Sequence, residues 1–598
     1  MSNYSAPLRD MRFVMRELAG LDEITRLPGN EDVTPDLVDA ILEEADKFAA
    51  GVLAPLNRSG DQHGARWHDG EVTTAPGWKE AYRQFAESGW TAVACDPQHG
   101  GQGLPKLVST AVMEMWKSAN MAFSLCPMLT TGAIEALMLR GSDAQKAMYL
   151  PKMVSGEWTG TMNLTEPQAG SDLAAVRTRA EPQADGSYRL FGQKIFITYG
   201  EHDLTDNIVH LVLARLLGAP EGVKGISLFV VPKYLVDAGG NLGARNDVRC
   251  VSIEHKLGIH ASPTCVLAFG DQGGAIGTLV GEPNRGLEYM FIMMNEARFA
   301  VGMEGLALSE RAYQHALQYA RERVQGTEAG VRGGPKVSII RHPDVRRMLM
   351  SMKSQTEAMR ALAYVVAAET DKAHHHVDAQ ERACSQAFVD LMIPVVKGWL
   401  TENAFEIAST GVQVHGGMGF IEETGAAQHL RDARITSIYE GTTAIQANDL
   451  IGRKIARDGG AAIGAVMQRM RAVEAELAAV GDESFAAIRR ALGSGIAALE
   501  EGVAYLLATY DQDIKAASVG AVPFLRLLGI VAGGWQLARA ALAARRRLEA
   551  GEGEADFYRA KIVSACFYAD HVMAQAPGLA YTVAKGAAGA LALDETQF

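Results

Sequence analysis

Ser437, Ile438, Tyr439, Glu440, Gly441, Thr442, Thr443, Ala444, Ile445 and Gln446 set a carboxylate on a glycine-relieved turn just ahead of a helix. A helix start offers unpaired N–H groups and the positive end of aligned peptide dipoles, so it suits a bound phosphate. A carboxylate beside such a site can serve as a general base next to a nucleotide cofactor. The same string also fits ordinary capping and turn chemistry, because an acidic residue ahead of Gly and Thr is common there.

The elements that must hold this carboxylate fall into three textures. The first 160 residues show helical spacing of apolar groups, as in 37–52 and 106–122, broken by Pro and Gly loops. Residues 161–285 change to short runs rich in Val, Ile, Leu and Phe, with strands expected over 188–198, 208–216, 226–231, 248–255 and 265–269. Helical spacing returns over 287–323, 343–376 and 378–409, each long enough to cross a bundle domain. The stretch 456–598, rich in Ala, Leu and Arg, predicts a further helical domain with helices over 461–479, 484–510 and 524–548. The expected fold is therefore mainly α with a central β-domain: 1–160 helical, 161–285 β-barrel, 286–455 four-helix bundle and 456–598 an added helical tail. The string GTEAGVRGGPK at 326–336 reads as a mobile loop between two bundle helices.

Composition narrows the function classes. At 598 residues the chain exceeds one hydrophobic core, and its 48% hydrophobic and 21% charged content is ordinary for a globular protein. A net charge of -13 argues against tight nucleic-acid binding, which needs a phosphate-neutralising basic face. Six cysteines lie scattered without a CxxC pair, which favours reduced thiols and a cytoplasmic location. The amino terminus mixes charges into its apolar positions, so no cleaved leader is expected. The apolar stretch 522–537 is interrupted by Arg526 and reads as too short to span a bilayer, so no membrane segment is expected. Three consecutive histidines, His374, His375 and His376, point about 100° apart on a helix and cannot converge on one ion, so no metal is expected.

Five further strings accompany the Glu440 turn: GGQGLP at 100–105, TEPQAGSD at 165–172, KIFITYG at 194–200, KLGIHASPT at 256–264 and QVHGGMGF at 413–420. In this order they resemble the acyl-CoA dehydrogenase flavoprotein family, over roughly residues 30–455. The tail and the ARERVQG string are similar to long bacterial members of the 3-(methylsulfanyl)propionyl-CoA and fatty-acyl type, in which the extra domain occupies the surface used elsewhere for tetramer formation.

The resemblance implies FAD as cofactor, an acyl-CoA substrate, electron-transfer flavoprotein as electron acceptor, and a homodimer. It makes Glu440 the base that removes the α-proton, with its own N–H facing the thioester oxygen and Gly441 beside the substrate, while the β-hydride goes to the flavin. Asn163, Leu164, Thr165 and Ser171 would present backbone and hydroxyl groups to the flavin, with Ser171 also near CoA; an Asx or Ser turn closing a strand is the plainer alternative. Thr198 would bond the flavin, and Phe196 takes a place often held by Trp. Arg323 would meet the diphosphate, and Gln413, Gly416 and Gly417 would approach the cofactor across a subunit interface, although a glycine-rich connector also fits. Thr442 and Thr443 would contact the cofactor or act as simple caps. Asn295 and Arg298, three apart on a helix, would clamp the pantetheine end, with an ion pair inside the bundle as the other reading of Arg298. Some family members take their base from the position before this arginine, but here that position is Ala297, and Glu296 is turned about 100° away. An acyl-CoA oxidase and a DNA-associated alkylation-response protein of the same fold are the remaining alternatives.

Overall fold

The computed structural model describes residues 4–237 and 239–598; the first three residues of the amino terminus lie outside the described residues. The chain divides into two compact units, one built from residues 47–104 and 119–300, the other from 1–46, 105–118 and 301–598.

The first unit is organised by strands β1 (Trp158–Asn163), β2 (Arg179–Pro182), β3 (Tyr188–Thr198), β4 (Asn207–Leu216), β5 (Ile226–Pro232), β6 (Val248–Ile253), β7 (Thr264–Phe269) and β8 (Ala275–Val280). β2 pairs with both β3 and β4, which closes the ring β2-β3-β8-β5-β4 into a five-stranded barrel, while β6 and β7 extend from β3 and β1 lies parallel beside β4. Side chains alternate across a strand, so each strand serves two cores. From β4 and β5, Val212, Ala214, Phe229 and Val231 fill the barrel. Their neighbours Val209, Leu211, Leu213, Leu228 and Val230 pack outward against helices α1 (Met121–Arg140) and α2 (Asp143–Val154). Both faces being buried, β4 and β5 read as continuous apolar runs rather than alternating ones. β1, with the sequence WTGTMN, is wholly buried yet carries two threonines and a glycine. That glycine is required: a Cβ on Gly160 would stand 2.5 Å from the Ala133 Cβ on α1. This close approach is why β1 looks nothing like a strand in the sequence.

The second unit is helical, and its helices carry on from the first unit's last. Helix α3 (Gly286–Glu322) runs through the division, and α4 (Pro343–His375) and α5 (Ala379–His415) follow it. The stretch 326–336, expected to be a mobile loop, is instead the turn of a hairpin, β9 (Val324–Thr327) with β10 (Lys336–Ser338). Gly326 takes φ 78 and Glu328 pairs with Arg341 at 3.0 Å, which fixes the ends of the glycine-rich tip.

The tail forms α6 (Ala461–Ala478), α7 (Glu483–Thr509), α8 (Ala521–Glu549) and α9 (Ala555–His571). α8 lies against α5 where Trp399 fills the space above Gly529, so close that a Cβ there would meet its ring at 2.2 Å. The expectation that the apolar stretch within α8 is too short for a membrane span needs correcting, since the helix is 29 residues long; by length and composition three helices among the described residues qualify. In α8, however, 94% of the most apolar window is buried against the chain itself.

One guanidinium organises the charged interior of this unit. Arg360 on α4 is 1% exposed and donates to Glu114 at 2.6 Å, to Glu310 at 2.7 Å and to Asp10 at 2.6 Å. Tyr364 also donates to Glu114, at 2.6 Å. Lys561 from α9 pairs with Asp10, so the amino-terminal segment, the bundle and the tail share one charge network. Burial alone would drive the arginine towards its neutral form, but Glu114, Glu310 and Asp10 outweigh it and hold the cation well above its ordinary pKa. Removing one partner of such a buried cluster strands the others, at a cost of about 3–5 kcal/mol. Arg360→Met is therefore expected to lower the thermal transition by roughly 5 °C or more, checked by a melt followed by far-ultraviolet circular dichroism.

Candidate active site

The site residues read from the sequence fall in both units. In the β-containing unit, β1 ends at Asn163, which is fully buried. Its Nδ2 donates to Thr161 Oγ1 at 2.8 Å, and Thr161 in turn bonds His210 Nδ1 at 2.7 Å. Burial, followed by the nearby Lys233, holds His210 neutral with a pKa of about 3. Thr161 Oγ1 thus accepts from the amide and links it to the ring, and Asn163 Oδ1 is buried without a hydrogen-bond partner among the described residues.

Beyond Asn163 the chain turns through Leu164, Thr165 and the TEPQAGSD string, tied to β3 by a buried ion pair. Lys194 Nζ donates to Leu164 O at 2.9 Å and to Glu166 at 2.8 Å, while Thr165 O accepts from Ile195 N at 2.9 Å. Glu166 also accepts from Thr178 Oγ1 and from the N–H groups of Arg177 and Thr178. Ser171 is exposed at the far side of this turn.

On β3 the pairing with β7 slips between Cys265 and Leu267, which places a bulge at Ile195 and Phe196, opposite Val266. Phe196 takes φ 59 and is 59% exposed, so it is not the core residue that an aromatic in a strand usually is. Thr198, two residues on, is half-buried. Thus the 163–171 turn and the end of β3, far apart in sequence, form one surface. On α3, Asn295 is exposed whereas Arg298 is 6% exposed, so the two do not share one environment.

In the helical unit two clusters form. At the carboxy-terminal ends of α3 and α5, the Tyr319 and His415 rings meet with centroids 4.4 Å apart. Arg323 lies one turn beyond Tyr319, its N–H donating to Tyr319 O at 2.8 Å, and the Gly416–Gly417 segment follows His415 directly. Arg323 and Gln413 are exposed, and the Arg323 guanidinium makes no hydrogen bond or ion pair among the described residues. Gly416 takes φ 61, and a Cβ on either glycine would meet nothing within 4 Å.

The second cluster is the Glu440 turn. Glu440 takes φ 54 and Gly441 φ 88, two left-handed residues in succession, before Thr442 caps helix α10 (Thr443–Asn448) by accepting from Ile445 N at 3.4 Å. The left-handed region costs a non-glycine residue about 1–2 kcal/mol, so the turn must be held from outside. Alternate residues supply the anchors. Tyr439 donates its hydroxyl to Glu304 on α3, Gly441 O accepts from Lys397 Nζ on α5 at 2.7 Å, and Thr443 donates to Glu402 on α5. Gln446 Nε2 adds donors to Glu440 O at 3.1 Å and Gly441 O at 3.3 Å. Glu304 is fully buried and paired with Lys117 at 3.2 Å. Burial raises its pKa, against the pull of Lys117 and the Tyr439 hydroxyl.

Sequence reasoning passed over these supports. Lys397 stands inside LMIPVVKGWL and Glu304 inside FAVGMEGLAL. A lone charge in an apolar helical run must be paired when buried, and that was the available signal.

Residues 36–157, 161–272 and 284–455 match the family models "Acyl-CoA dehydrogenase" N-terminal, middle and C-terminal domains, and 466–594 match "Acetyl-CoA dehydrogenase C-terminal like". The chain belongs to the acyl-CoA dehydrogenase family and is an oxidoreductase. It is 52% identical over 572 residues to 3-methylmercaptopropionyl-CoA dehydrogenase of Ruegeria pomeroyi, covering 96% of both chains. It is 39% identical to the broad-specificity linear acyl-CoA dehydrogenase FadE5 of Mycobacterium tuberculosis, again over 96% of both. Among solved structures it shares its fold with Caenorhabditis elegans ACDH-11 in complex with C11-CoA (TM-score 0.76, 22% identity, 95% of this chain and 91% of that one). A Bacillus anthracis acyl-CoA dehydrogenase complexed with FAD is similar to the same degree (TM-score 0.75, 22% identity, 96% and 91%).

The Glu166–Lys194 pair makes a checkable demand. Burial pushes the Glu166 carboxyl up, but Lys194, Thr178 and the Arg177 N–H outweigh it and hold the pKa at about 2. A lowered carboxyl pKa contributes stability in full above the unfolded value of about 4.3 and loses it as pH falls towards the folded one. Glu166→Gln should cost about 3–5 kcal/mol at pH 7 by leaving Lys194 buried without its carboxylate. It should also remove part of the stability loss between about pH 4 and 2. Urea unfolding of parent and variant across that range measures both.

Proposed function

We propose that the protein dehydrogenates the Cα–Cβ bond of a saturated acyl-CoA to give the trans-2-enoyl-CoA, with Glu440 as the base and FAD as cofactor. The observation that carries the reading is the Glu440 turn: a carboxylate on a strained backbone held by buried ionic and hydrogen-bonding anchors. Strain of that kind persists where the surroundings over-determine it, and it clusters at catalytic positions.

The residues present fit FAD. Open space above Gly416 and Gly417 admits close approach of a bulky group to the backbone. Arg323 offers a guanidinium suited to a diphosphate. Asn163 Oδ1 is a buried acceptor awaiting a donor. Leu164, Thr165, Ser171, Phe196, Thr198, Gln413, Thr442 and Thr443 complete the set proposed to hold it, and Asn295, Arg298, Ser171 and Gly441 the set proposed for CoA. When bound, FAD supplies the acceptor for the β-hydride.

The protein's own part is proton removal from a weak carbon acid. As an acyl chain enters, water leaves and the charged form of Glu440 loses hydration, which raises its affinity for a proton. The Glu440 N–H is the proposed donor to the thioester oxygen, where negative charge gathers as the α-proton leaves. Clamping residues 439, 441 and 443 keeps carboxylate and N–H on one short segment, so both are set by the same anchors.

The 52% identity to the Ruegeria pomeroyi enzyme supports a short thioether or linear acyl-CoA as substrate, with 3-(methylsulfanyl)propionyl-CoA the first to test. Electrons pass to an electron-transfer flavoprotein. Met418 and Phe420, 47% and 85% exposed beside Gly416 and Gly417, support a homodimer that covers this segment. Six free cysteines support a cytoplasmic location.

Purified parent protein is expected to be yellow and to bleach anaerobically with its acyl-CoA. Glu440→Gln should keep the flavin yet bleach about 100- to 10,000-fold more slowly, the contribution of a positioned general base. Bleaching of the variant at the parental rate would remove Glu440 from the mechanism. Aerobic turnover that yields peroxide without an added electron acceptor would replace the dehydrogenase with an oxidase.

A further inference from the structure

We infer that Lys397 is a positioning residue for Glu440, acting through the carbonyl of Gly441; the inference rests on the proposal that Glu440 is the base. Lys397 lies in the middle of α5 and is fully buried. Taking an ammonium out of water costs several kcal/mol, so a lysine there must return that cost through its partners. Its Nζ donates to Gly441 O at 2.7 Å, at the short end of the range for a charge-assisted hydrogen bond.

That carbonyl belongs to the second of two left-handed residues. Its direction is set by ψ of Gly441, the residue with the least intrinsic preference, so an external donor decides it. Gln446 Nε2 approaches the same oxygen at 3.3 Å and the Glu440 oxygen at 3.1 Å. A cation and an amide thus converge on the two peptide planes flanking Gly441, the first of which follows Glu440. The glycine is also closed in from the other side, since a Cβ there would stand 2.7 Å from Gln446 Nε2. Five residues along α5, Glu402 accepts from Thr443. One rigid helix therefore holds the segment on the carboxy-terminal side of Glu440 at two points.

Without the Lys397 bond, the left-handed Glu440 can relax to the right-handed or extended region that a glutamate prefers. The relaxation would swing the carboxylate and its N–H together while leaving in place the binding groups proposed outside this turn, such as Asn163 and Arg323. Its signature is a loss in the proton-removal step rather than in binding. A misplacement of about 1 Å can cost about 100-fold.

The test compares parent, Lys397→Met, Gln446→Met and Glu440→Gln, each as full-length FAD-loaded protein, with the acyl-CoA that bleaches the parent fastest. Methionine keeps an unbranched side chain, one heavy atom shorter than lysine, and removes the charge. For Lys397→Met the expected result is a kcat about 10- to 100-fold lower with KM within about threefold and flavin content unchanged. The kinetic isotope effect from α-dideuterated substrate should grow while that from β-deuteration does not. Hydrogen exchange should accelerate in the peptide covering 438–446 alone.

Lys397→Met at the parental rate, with a dead Glu440→Gln, overturns this inference and leaves the proposed function standing. An active Glu440→Gln overturns the function first and this inference with it. Equal loss of kcat and flavin, or exchange rising throughout the chain, would make Lys397 a folding residue and end the positioning role. If Lys397→Met does not fold, Gln446→Met carries the same readouts with a smaller expected fall in kcat, and failure of both to fold also overturns the inference.

Discussion

A glutamate held in the left-handed region is the constraint around which the helical unit is arranged. The cost of about 1–2 kcal/mol for that backbone is comparable to one charge-assisted hydrogen bond, which contributes about 1.5–3 kcal/mol. A single anchor would therefore hold Glu440 only marginally. Three side chains, Glu304, Lys397 and Glu402, act on residues 439, 441 and 443 in turn. They can do so because α3 and α5, each 37 residues long, run continuously beneath the turn. Helices of that length position side chains through packing along their whole extent, and a residue in the middle of one is as firmly placed as the core around it.

The same device recurs wherever a segment without regular structure needs a fixed shape. The 163–171 turn is centred on Glu166, which satisfies the N–H groups of 177 and 178 while Lys194 neutralises it from β3. The amino-terminal segment, which has little regular structure between its short helices, is docked through Asp10 on Arg360 and Lys561. Buried ion pairs of this kind add little net stability compared with apolar residues of equal volume, because desolvation offsets most of the attraction. They add direction. An apolar contact tolerates sliding, whereas a carboxylate with four donors in place has one arrangement that satisfies them all.

Legibility in the sequence followed from how much each segment's local chemistry agreed with its tertiary role. Strands β4 and β5 were plain because both of their faces are apolar, β3 because β-branched and aromatic residues recur along it, and the long helices because their spacing runs for many turns. β1 was missed, since Gly160 and its flanking threonines answer to the helix packed on them rather than to strand preference. The 326–336 string has a loop's composition, yet the hairpin around it is set by pairing of Val324 with Ser338 and Thr327 with Lys336, partners that composition does not name. At the candidate site the strings showed where chemistry would sit. The supports, Lys397, Glu304 and Glu402, lie 38 to 136 residues away from Glu440 on helices whose register brings them in, and only the oddness of Lys397 and Glu304 as charges in apolar runs gave notice.

Backbone strain offers a reading of the site independent of any string match. Among the described residues six other than glycine take positive φ: Asp69, Phe196, Tyr199, Ile259, Asn284 and Glu440. Asp69 and Asn284 belong to residue types that tolerate this region in turns. The other four do not, and a β-branched residue such as Ile259 is the most costly of all. Those four fall inside KIFITYG, KLGIHASPT and the Glu440 turn, the strings that carry the family resemblance. Strain of about 1–3 kcal/mol per position would be removed by a single substitution to glycine if shape alone were needed. That bulky side chains stand there instead means that both the unusual backbone and the particular side chain are required at each position. Phe196 displays the consequence most openly: its bulge turns an aromatic ring outward to 59% exposure, where it can serve a bound group rather than the core.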